Sequence, residues 1–336
     1  MTPRPYSRIV DVAVYLPEDR LSSAAVEARI QEVNPGLDLP GGLIERLTGV
    51  AYRHVRPAGW VASDLAVAAA RKLLADVGRE PAEIDLILFA SVSTDVLEPA
   101  TGHIVAQKLG ATCPVIDVKN ACNAVANALE VGDALIRTGA YRRILIACGE
   151  SASQGWRWQV DSVDQYLEAL GSFGLSDAGA ALLLEGSEEP GILGHRFSAS
   201  SQAWEASVLP LSPTVDGGWE VGRFRVRPVR LAAAVASLDF GVIHQTLAEL
   251  DLTMDSFAAV AVNQVSLPYL TKLSADLGID RDLIDVVVAE HGNLSAACIP
   301  LQLNQAVRQV RVRRGDLVAL IGMASGLSIG IVVVKW

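Results

Sequence analysis

Residues 115–126 read Val115-Ile116-Asp117-Val118-Lys119-Asn120-Ala121-Cys122-Asn123-Ala124-Val125-Ala126. This pattern predicts a buried strand, a tight turn and an apolar helix that begins at Cys122. A thiol at the N-terminus of a helix faces unpaired backbone N–H groups and the positive end of the helix dipole, and both favour thiolate over thiol. Cys122 is therefore a candidate nucleophile. The alternative is a small apolar residue in a core helix.

The composition describes a large acidic protein with an extensive apolar core. The chain has 336 residues, 51% of them hydrophobic, and a net charge of −10. Because domains usually contain roughly 100–200 residues, this length fits two domains or two fused halves. No segment is rich in Lys or Arg, so we do not expect nucleic acid as a partner.

The cysteines, histidines and apolar runs exclude further classes of protein. The four cysteines have no CxxC spacing and the five histidines form no HxxxH or HExxH pair, so we expect neither a disulfide framework nor a bound metal. No apolar run reaches the ~18 residues of a membrane span, and residues 1–8 contain no apolar signal segment. These observations favour a cytoplasmic protein.

The chain contains an internal duplication of pattern. In each half an alanine-rich helix leads to an apolar strand, and a small-residue helix leads to a closing strand. The segments are 64–77, 84–90, 122–137 and 143–148 in the first half, and 231–250, 257–262, 292–310 and 317–323 in the second. Apolar strands that alternate with helices form sheets covered on both faces, so the pattern predicts a layered α/β protein. Two unrelated α/β domains are the alternative.

Residues 150–174, between the halves, form a polar and aperiodic stretch that contains Trp156 and Trp158. Aromatic rings in such a loop usually cover something, such as a partner subunit or a substrate channel. The alternative is that they pack beneath the loop itself. We predict a cap or a dimer insertion.

Several motifs occur together in an order that is similar to the ketoacyl-acyl-carrier-protein synthase III family, which has the thiolase fold. They are Tyr15-Leu16-Pro17, Leu47-Thr48-Gly49-Val50, Asn120-Ala121-Cys122, and the segments 176–181, 291–297 and 322–330. The resemblance covers essentially the whole chain. It implies a five-layer αβαβα architecture with two duplicated halves, 1–185 and 186–336, and a homodimer that carries an acyl group on a cysteine.

The resemblance assigns the catalytic positions. It implies that Cys122 is the acyl-accepting nucleophile and that Asn293 is a polarising asparagine. The expected oxyanion hole consists of the backbone N–H groups of Cys122 and Ser325, where relatives usually have glycine. A backbone donor does not depend on its side chain provided that its φ/ψ is allowed. We expect His291 to pack behind the Asn293 turn rather than to act as a base.

The family's catalytic histidine, in a His-Gln-Ala-Asn motif, is replaced here by Asn263 in Asn263-Gln264-Val265-Ser266. An amide donates hydrogen bonds but takes no proton at neutral pH. Decarboxylative condensation needs donors on the thioester oxygen, which Asn263 and Asn293 could supply. Transfer to an alcohol or amine needs a base, worth ~10²–10⁴-fold in rate.

These requirements slightly favour carbon–carbon condensation, in specialised (polyketide or fatty-acid-derived) metabolism. The alternatives are an acyltransferase that forms an ester or amide, and a catalytically degenerate partner subunit or carrier-protein-binding module. An engineered substitution at position 263 would give the same pattern.

Glu98 lies in a loop that, in this family, reaches across the dimer into the partner's acyl pocket. Many relatives have a bulky aromatic residue there. A glutamate is similar to the cross-subunit base of the bacterial head-to-head condensing enzymes of olefin synthesis, and an apolar tunnel would raise its pKa. The alternative is a solvated or interface-paired carboxylate.

The surface that binds acyl-CoA in relatives also differs. Leu43 and Leu47 occupy the positions of a tryptophan and an arginine that clamp adenine, and Pro268 that of a basic residue. We therefore expect acyl groups to arrive on acyl-carrier-protein phosphopantetheine, or on acyl-CoA held differently. A candidate docking surface for an acidic carrier protein is Arg223, Arg225, Arg227 and Arg230. A solvated basic face is the alternative.

Overall fold

A computed structural model describes residues 6–336, and the prediction of no signal segment in residues 1–8 falls mostly outside them. The strands are β1 (Tyr6–Tyr15), β2 (Arg20–Ser22), β3 (Tyr52–His54), β4 (Leu86–Ala90), β5 (Val115–Val118), β6 (Arg143–Glu150), β7 (Ala178–Ser187), β8 (Ile192–Ala199), β9 (Ser207–Val208), β10 (Leu211–Pro213), β11 (Trp219–Val221), β12 (Arg225–Val226), β13 (Ala259–Val262), β14 (Leu317–Ala324) and β15 (Ser328–Lys335). The α-helices are α1 (Ser23–Val33), α2 (Leu43–Thr48), α3 (Ala62–Asp76), α4 (Thr101–Leu109), α5 (Ala124–Arg137), α6 (Val163–Phe173), α7 (Pro228–Ala236), α8 (Gly241–Glu249), α9 (Leu267–Leu277), α10 (Val288–His291) and α11 (Cys298–Arg308).

Two mixed sheets form the centre of the protein and repeat one topology. The first has the order β1-β7-β6-β4-β5 and the second the order β13-β14-β15-β8. In the first, β4 and β6 are parallel while β6, β7 and β1 are successively antiparallel. In the second, β13 and β14 are parallel while β14, β15 and β8 are successively antiparallel. The predicted duplication is therefore visible in the strand pairing.

The helices and sheets stack as five layers. Helices α3 and α4 pack on one face of the first sheet, through residues such as Ile87 and Phe89. Helices α5 and α11 lie between the sheets, where Leu86 and Leu88 of β4 belong to the same core as these helices. Helices α8 and α9 cover the outer face of the second sheet. Because successive strand residues point to opposite faces, β4 contributes to two cores, as a strand buried on both sides must.

The chain passes from one sheet to the other just after residue 187. β7 ends at Ser187 in the first sheet, and β8 begins at Ile192 in the second. The division at residues 185 and 186 thus falls near the end of β7, and it stays a prediction as a domain boundary.

The predicted helix over 231–250 is two helices, α7 and α8, separated by residues 237–240. The Asp239 carboxylate accepts a hydrogen bond from the N–H of Gly241, the first residue of the second helix, at 2.8 Å. By length and composition alone Val229–Glu249 could cross a membrane, a test that core helices of soluble proteins also pass. The break between α7 and α8 further weakens that interpretation.

The segment 150–174 is not a loop throughout, because α6 occupies Val163–Phe173. Trp156 is buried together with Tyr166 and Phe173, and its indole N–H donates to the Ser172 carbonyl at 3.0 Å. Trp158 packs edge-on against Trp156, with ring centroids 5.5 Å apart. The two rings therefore pack against a core within their own subunit, the alternative that the sequence left open, and the cap or dimer insertion stays a prediction.

Candidate functional site

Cys122 lies in the tight turn between β5 and α5. The turn is closed by the Asn123 N–H, which donates to the Asn120 carbonyl at 3.0 Å, and Ala121 within it has a φ of 45°. This left-handed conformation is unusual for alanine and delays the start of the helix to Ala124. The prediction that the helix begins at Cys122 is therefore wrong by two residues.

The Cys122 thiol is partly buried and resists ionisation. Burial raises its pKa to about 11; a hydrogen bond from Ser295 opposes this shift and the charge of Glu150 adds to it. The expectation that the helix end favours the thiolate is thus wrong for this state, because desolvation outweighs the dipole. At neutral pH the resting side chain is a thiol.

Asn263 follows β13 and is fully buried. Its Oδ1 accepts the Met323 N–H at 3.0 Å, which fixes the orientation of the amide. Its Nδ2 therefore donates to the carbonyl oxygens of Cys122 and Ser295, both at 3.3 Å. Asn263 thus lies beside Cys122, and in this conformation both its amide hydrogens bind backbone oxygens.

Asn293 lies in the turn that precedes α11, and its placement depends on Gly292. Gly292 has a φ of 70°, and a Cβ there would lie 2.9 Å from the Gly174 carbonyl oxygen. The turn is held because Asn293 N–H donates to that same oxygen at 2.8 Å. The Asn293 Oδ1 accepts the Ser295 N–H at 2.9 Å. Between residues 6 and 336 its Nδ2 has no hydrogen-bond partner, so this amide is free to bind a ligand.

Ser295 is a site residue that the sequence reasoning missed. Its hydroxyl lies 3.5 Å from the Cys122 sulfur, although the two residues are 173 positions apart. Ser295 has a φ of 52°, a conformation that no sequence pattern signals for serine. The segment 291–297 was the only signal that could have drawn attention to it.

Glu150, at the end of β6, is a second site residue that was missed. It is buried and accepts hydrogen bonds from Val92 N–H at 3.0 Å, from Ser93 Oγ at 3.1 Å and from Ala296 N–H at 3.4 Å. Burial raises its pKa to about 7, although hydrogen bonds from Val92, Ser93 and Ser91 oppose the shift. The only sequence signal is a carboxylate that directly follows an apolar strand.

His291 packs behind the turn, as predicted. Its Nδ1 lies 2.9 Å from His54 Nε2, and His54 Nδ1 lies 2.6 Å from the Pro17 carbonyl. Burial, His54 and Arg20 lower the pKa of His291 to about 4, so the ring is neutral at pH 7.

The remaining predicted residues lie outside this group of contacts. Ser325 is in the turn between β14 and β15, and its hydroxyl donates to Ser207 Oγ at 3.1 Å. Glu98 is exposed, and no hydrogen bond among the described residues joins it to Cys122 or to either asparagine. Its loop borders a cavity of about 180 Å³ that is lined partly by Leu97, Pro99 and Lys119. Within residues 6–336, no three His, Cys, Asp or Glu side chains are grouped so that they could hold a metal.

The surface positions assigned to acyl-donor binding differ in their exposure and in their ion pairing. Leu43 is buried, whereas Leu47 is half exposed. Arg227 and Arg230 both pair with Glu205, at 3.5 and 3.0 Å, so part of the arginine charge is already neutralised.

Comparisons with known proteins agree with this fold. Residues 116–201 match the 3-oxoacyl-[acyl-carrier-protein] synthase III family, and residues 247–336 match the C-terminal region of the same family. A variant of OleA from Xanthomonas campestris superimposes with a TM-score of 0.90 over 100% of both chains, at 24% identity.

Two further solved structures are similar over nearly the full length. An OleA variant with bound lauric acid and lauroyl-CoA has a TM-score of 0.88 and 24% identity, over 98% of this chain and 99% of the other. The synthase III FabH from Xanthomonas oryzae pv. oryzae has a TM-score of 0.87 and 25% identity, over 100% of both chains. The matched family regions span more than half of the sequence, and the five layers are the thiolase fold. The chain therefore belongs to the 3-oxoacyl-[acyl-carrier-protein] synthase III family of acyl-transferring, condensing enzymes.

Proposed function

We propose that this enzyme carries its acyl group on Cys122 and joins it to the α-carbon of a second acyl thioester. The observation that carries the proposal is a partly buried cysteine at a strand–helix junction that contacts Ser295, in the same turn as Asn293, whose Nδ2 has no hydrogen-bond partner between residues 6 and 336. The sulfur attacks the thioester carbonyl, the donor's thiol leaves, and the acyl group remains on Cys122 as a new thioester.

The asparagines take different roles in this proposal. The free Nδ2 of Asn293 donates to the oxygen of the second thioester, where enolate charge develops. Asn263 holds the Cys122 carbonyl and the Ser295 carbonyl, and so positions the nucleophile. The backbone N–H groups of Cys122 and Ser325 are the proposed oxyanion hole for the acyl transfer.

Decarboxylative condensation suits this site because it needs no proton to be removed from carbon. Loss of CO₂ from a malonyl-type thioester leaves the carbanion directly. Formation of an ester or an amide requires a base, and the amide of Asn263 cannot act as one. Without a base from a partner subunit, the site therefore supports carbon–carbon bond formation over the alternatives.

Exposed apolar residues around β5 support a homodimer. β5 is an edge strand whose only partner among the described residues is β4, and Ile116 on it is exposed. Val96 and Leu97, in the Glu98 loop, are exposed as well. An open strand edge beside apolar side chains favours pairing with another chain. In such a dimer Glu98 would enter the partner's acyl pocket as a base, the role that we propose for it.

We further propose a carrier-bound acyl donor and a cytoplasmic role in specialised metabolism. The clamp positions for adenine are Leu43 and Leu47, which offer no charge. The arginines at 223, 225, 227 and 230 are the candidate docking surface for an acyl-carrier protein. One solved relative was determined with lauroyl-CoA, so acyl-CoA remains an alternative donor.

Intact-protein mass spectrometry after incubation with acyl-CoA and acyl-carrier-protein thioesters tests the proposal. We expect an acyl adduct in the wild type and in Cys113→Ala, a matched control at another partly buried thiol, and none in Cys122→Ala. Addition of a malonyl thioester should release a β-keto product. If no donor leaves an adduct, the chain is a partner subunit rather than a condensing enzyme.

A further inference from the structure

The only side-chain polar atom within hydrogen-bond distance of the Cys122 sulfur, in the part of the chain that the structure describes, is the hydroxyl of Ser295. The two atoms are 3.5 Å apart, within the range for a hydrogen bond to sulfur. This hydroxyl makes no other hydrogen bond with the described residues, and Ser295 is only 5% exposed. The Ser295 hydroxyl is thus enclosed, and the Cys122 sulfur is its one hydrogen-bond partner among the described residues.

The backbone of Ser295 is held at both ends in an unfavourable conformation. Its φ of 52° lies in the left-handed region, which non-glycine residues seldom adopt. Asn293 Oδ1 accepts its N–H at 2.9 Å, and Asn263 Nδ2 donates to its carbonyl at 3.3 Å. Such strain persists only where the surroundings enforce it, and it is concentrated at functional sites. Both asparagines therefore serve to aim one hydroxyl at the sulfur.

We propose that Ser295 is a catalytic residue whose hydroxyl donates a hydrogen bond to the Cys122 sulfur and stabilises its thiolate, with Asn263 and Asn293 as the positioning residues. The inference rests on the proposed role of Cys122 as the nucleophile. The thiol proton passes to solvent, because the serine keeps its own hydrogen. The hydroxyl thereby supplies a share of the stabilisation that is lost where Asn263 replaces an imidazole.

The rate at which iodoacetamide alkylates Cys122, measured between pH 7 and 9 by intact mass, tests this role. A hydrogen bond to a charged group is worth enough to shift a pKa by about one unit, so Ser295→Ala should have about tenfold less thiolate. Because a more basic thiolate is also more nucleophilic, the net alkylation rate should fall about threefold. The rate of acyl loading should fall in parallel.

Two further variants make the result decisive. Ser295→Gly removes the hydroxyl and adopts a positive φ without strain, so it should fold even where alanine does not, and should show the same loss. Ser274→Ala removes a buried hydroxyl that, within residues 6–336, bonds only to the Leu270 carbonyl, and should behave as wild type. Unchanged alkylation rates in folded Ser295→Ala or Ser295→Gly would overturn the proposal.

This experiment separates the two proposals. Alkylation needs no acyl donor, so a wild type that alkylates but never accepts an acyl group would refute the proposed function, and with it catalysis by Ser295, while the hydrogen bond to the thiolate would still be tested by the variants. An acylated wild type whose Ser295 variants alkylate and load normally would refute only the role of Ser295.

Discussion

The Asn263 amide donates to the carbonyl oxygen of Cys122 at 3.3 Å, across the interface between the two sheets. The same nitrogen reaches Ser295, and the amide oxygen holds Met323 on β14. A single side chain therefore ties the Cys122 turn to the Asn293–Ser295 turn and to the second sheet. A histidine could not reproduce this pattern, because neutral imidazole has only one N–H donor.

Replacement of Asn263 by alanine should lower both stability and activity. The change leaves the buried Met323 N–H without an acceptor and frees two carbonyls. We expect a loss of about 2–4 kcal/mol in the free energy of unfolding, measured by urea denaturation. Because the Cys122 turn loses an anchor, acyl loading should fall by about 10²-fold.

Asn304→Ala is the matched control for that loss. Among the described residues, Asn304 donates a single hydrogen bond, to the Val12 carbonyl at 2.8 Å, and makes none with the site residues. Its removal should cost about 1 kcal/mol and leave acyl loading unchanged. If both variants lost the same stability and neither lost loading, Asn263 would be an ordinary buried amide.

Glu150 should make stability fall as pH rises from 4.5 to 7. Its folded pKa of about 7 lies above the ordinary value of 4.5, so the folded state binds more protons than the unfolded state in this window. The stabilising contribution is complete below pH 4.5 and is lost as pH rises through 7, a change of about 3 kcal/mol. In Glu150→Gln this part of the pH dependence should vanish, as urea denaturation at pH 5, 6, 7 and 8 would reveal.

The same variant should make Cys122 easier to ionise. Above pH 7 the Glu150 carboxylate is charged and helps to raise the pKa of the thiol. Glu150→Gln removes this charge, so alkylation of Cys122 by iodoacetamide should be faster than in the wild type at pH 8.5 and nearly equal at pH 6. If the ratio of the alkylation rate of Glu150→Gln to that of the wild type were the same at both pH values, the carboxylate would not act on the sulfur.

Sequence periodicity was sufficient to predict the layered fold, because the fold depends on patterns that are local in the sequence. β4 faces two cores, and the unbroken apolar run of residues 86–89 is typical of a strand that is buried on both sides. The start of α5 was misplaced because Ala121 adopts a positive φ that its residue type disfavours. Helix α6 was not predicted, although Tyr166, Leu170 and Phe173 recur with helical spacing. The reason is that Trp156 and Trp158 stand in a polar, aperiodic stretch just before it, which is typical of a loop.

The candidate site was only partly predictable because its central contacts join distant segments. Cys122 and Asn293 stand in motifs that can be read directly. The Ser295 hydroxyl meets the sulfur only after two halves of the chain have packed. In the sequence, Glu150 is a carboxylate at the end of an apolar strand, where an exposed side chain is expected. In the structure its carboxylate accepts hydrogen bonds from Val92, Ser93 and Ala296. Burial then reverses the effect expected from a helix end on the thiol pKa.

Leu97→Glu should convert the proposed homodimer to a monomer. Leu97 is 67% exposed in the Glu98 loop, and a large apolar side chain left in water there is best explained by a partner that covers it. A buried, unpaired carboxylate at that interface would be strongly unfavourable. Sedimentation velocity should show half the mass, and condensation should fall while alkylation of Cys122 is retained, since Ser295 comes from the same chain. Leu211→Glu, at an exposed leucine on the β10–β11 hairpin, is the matched control and should remain dimeric. A wild type that sediments as a monomer would remove both the dimer and the proposed cross-subunit role of Glu98.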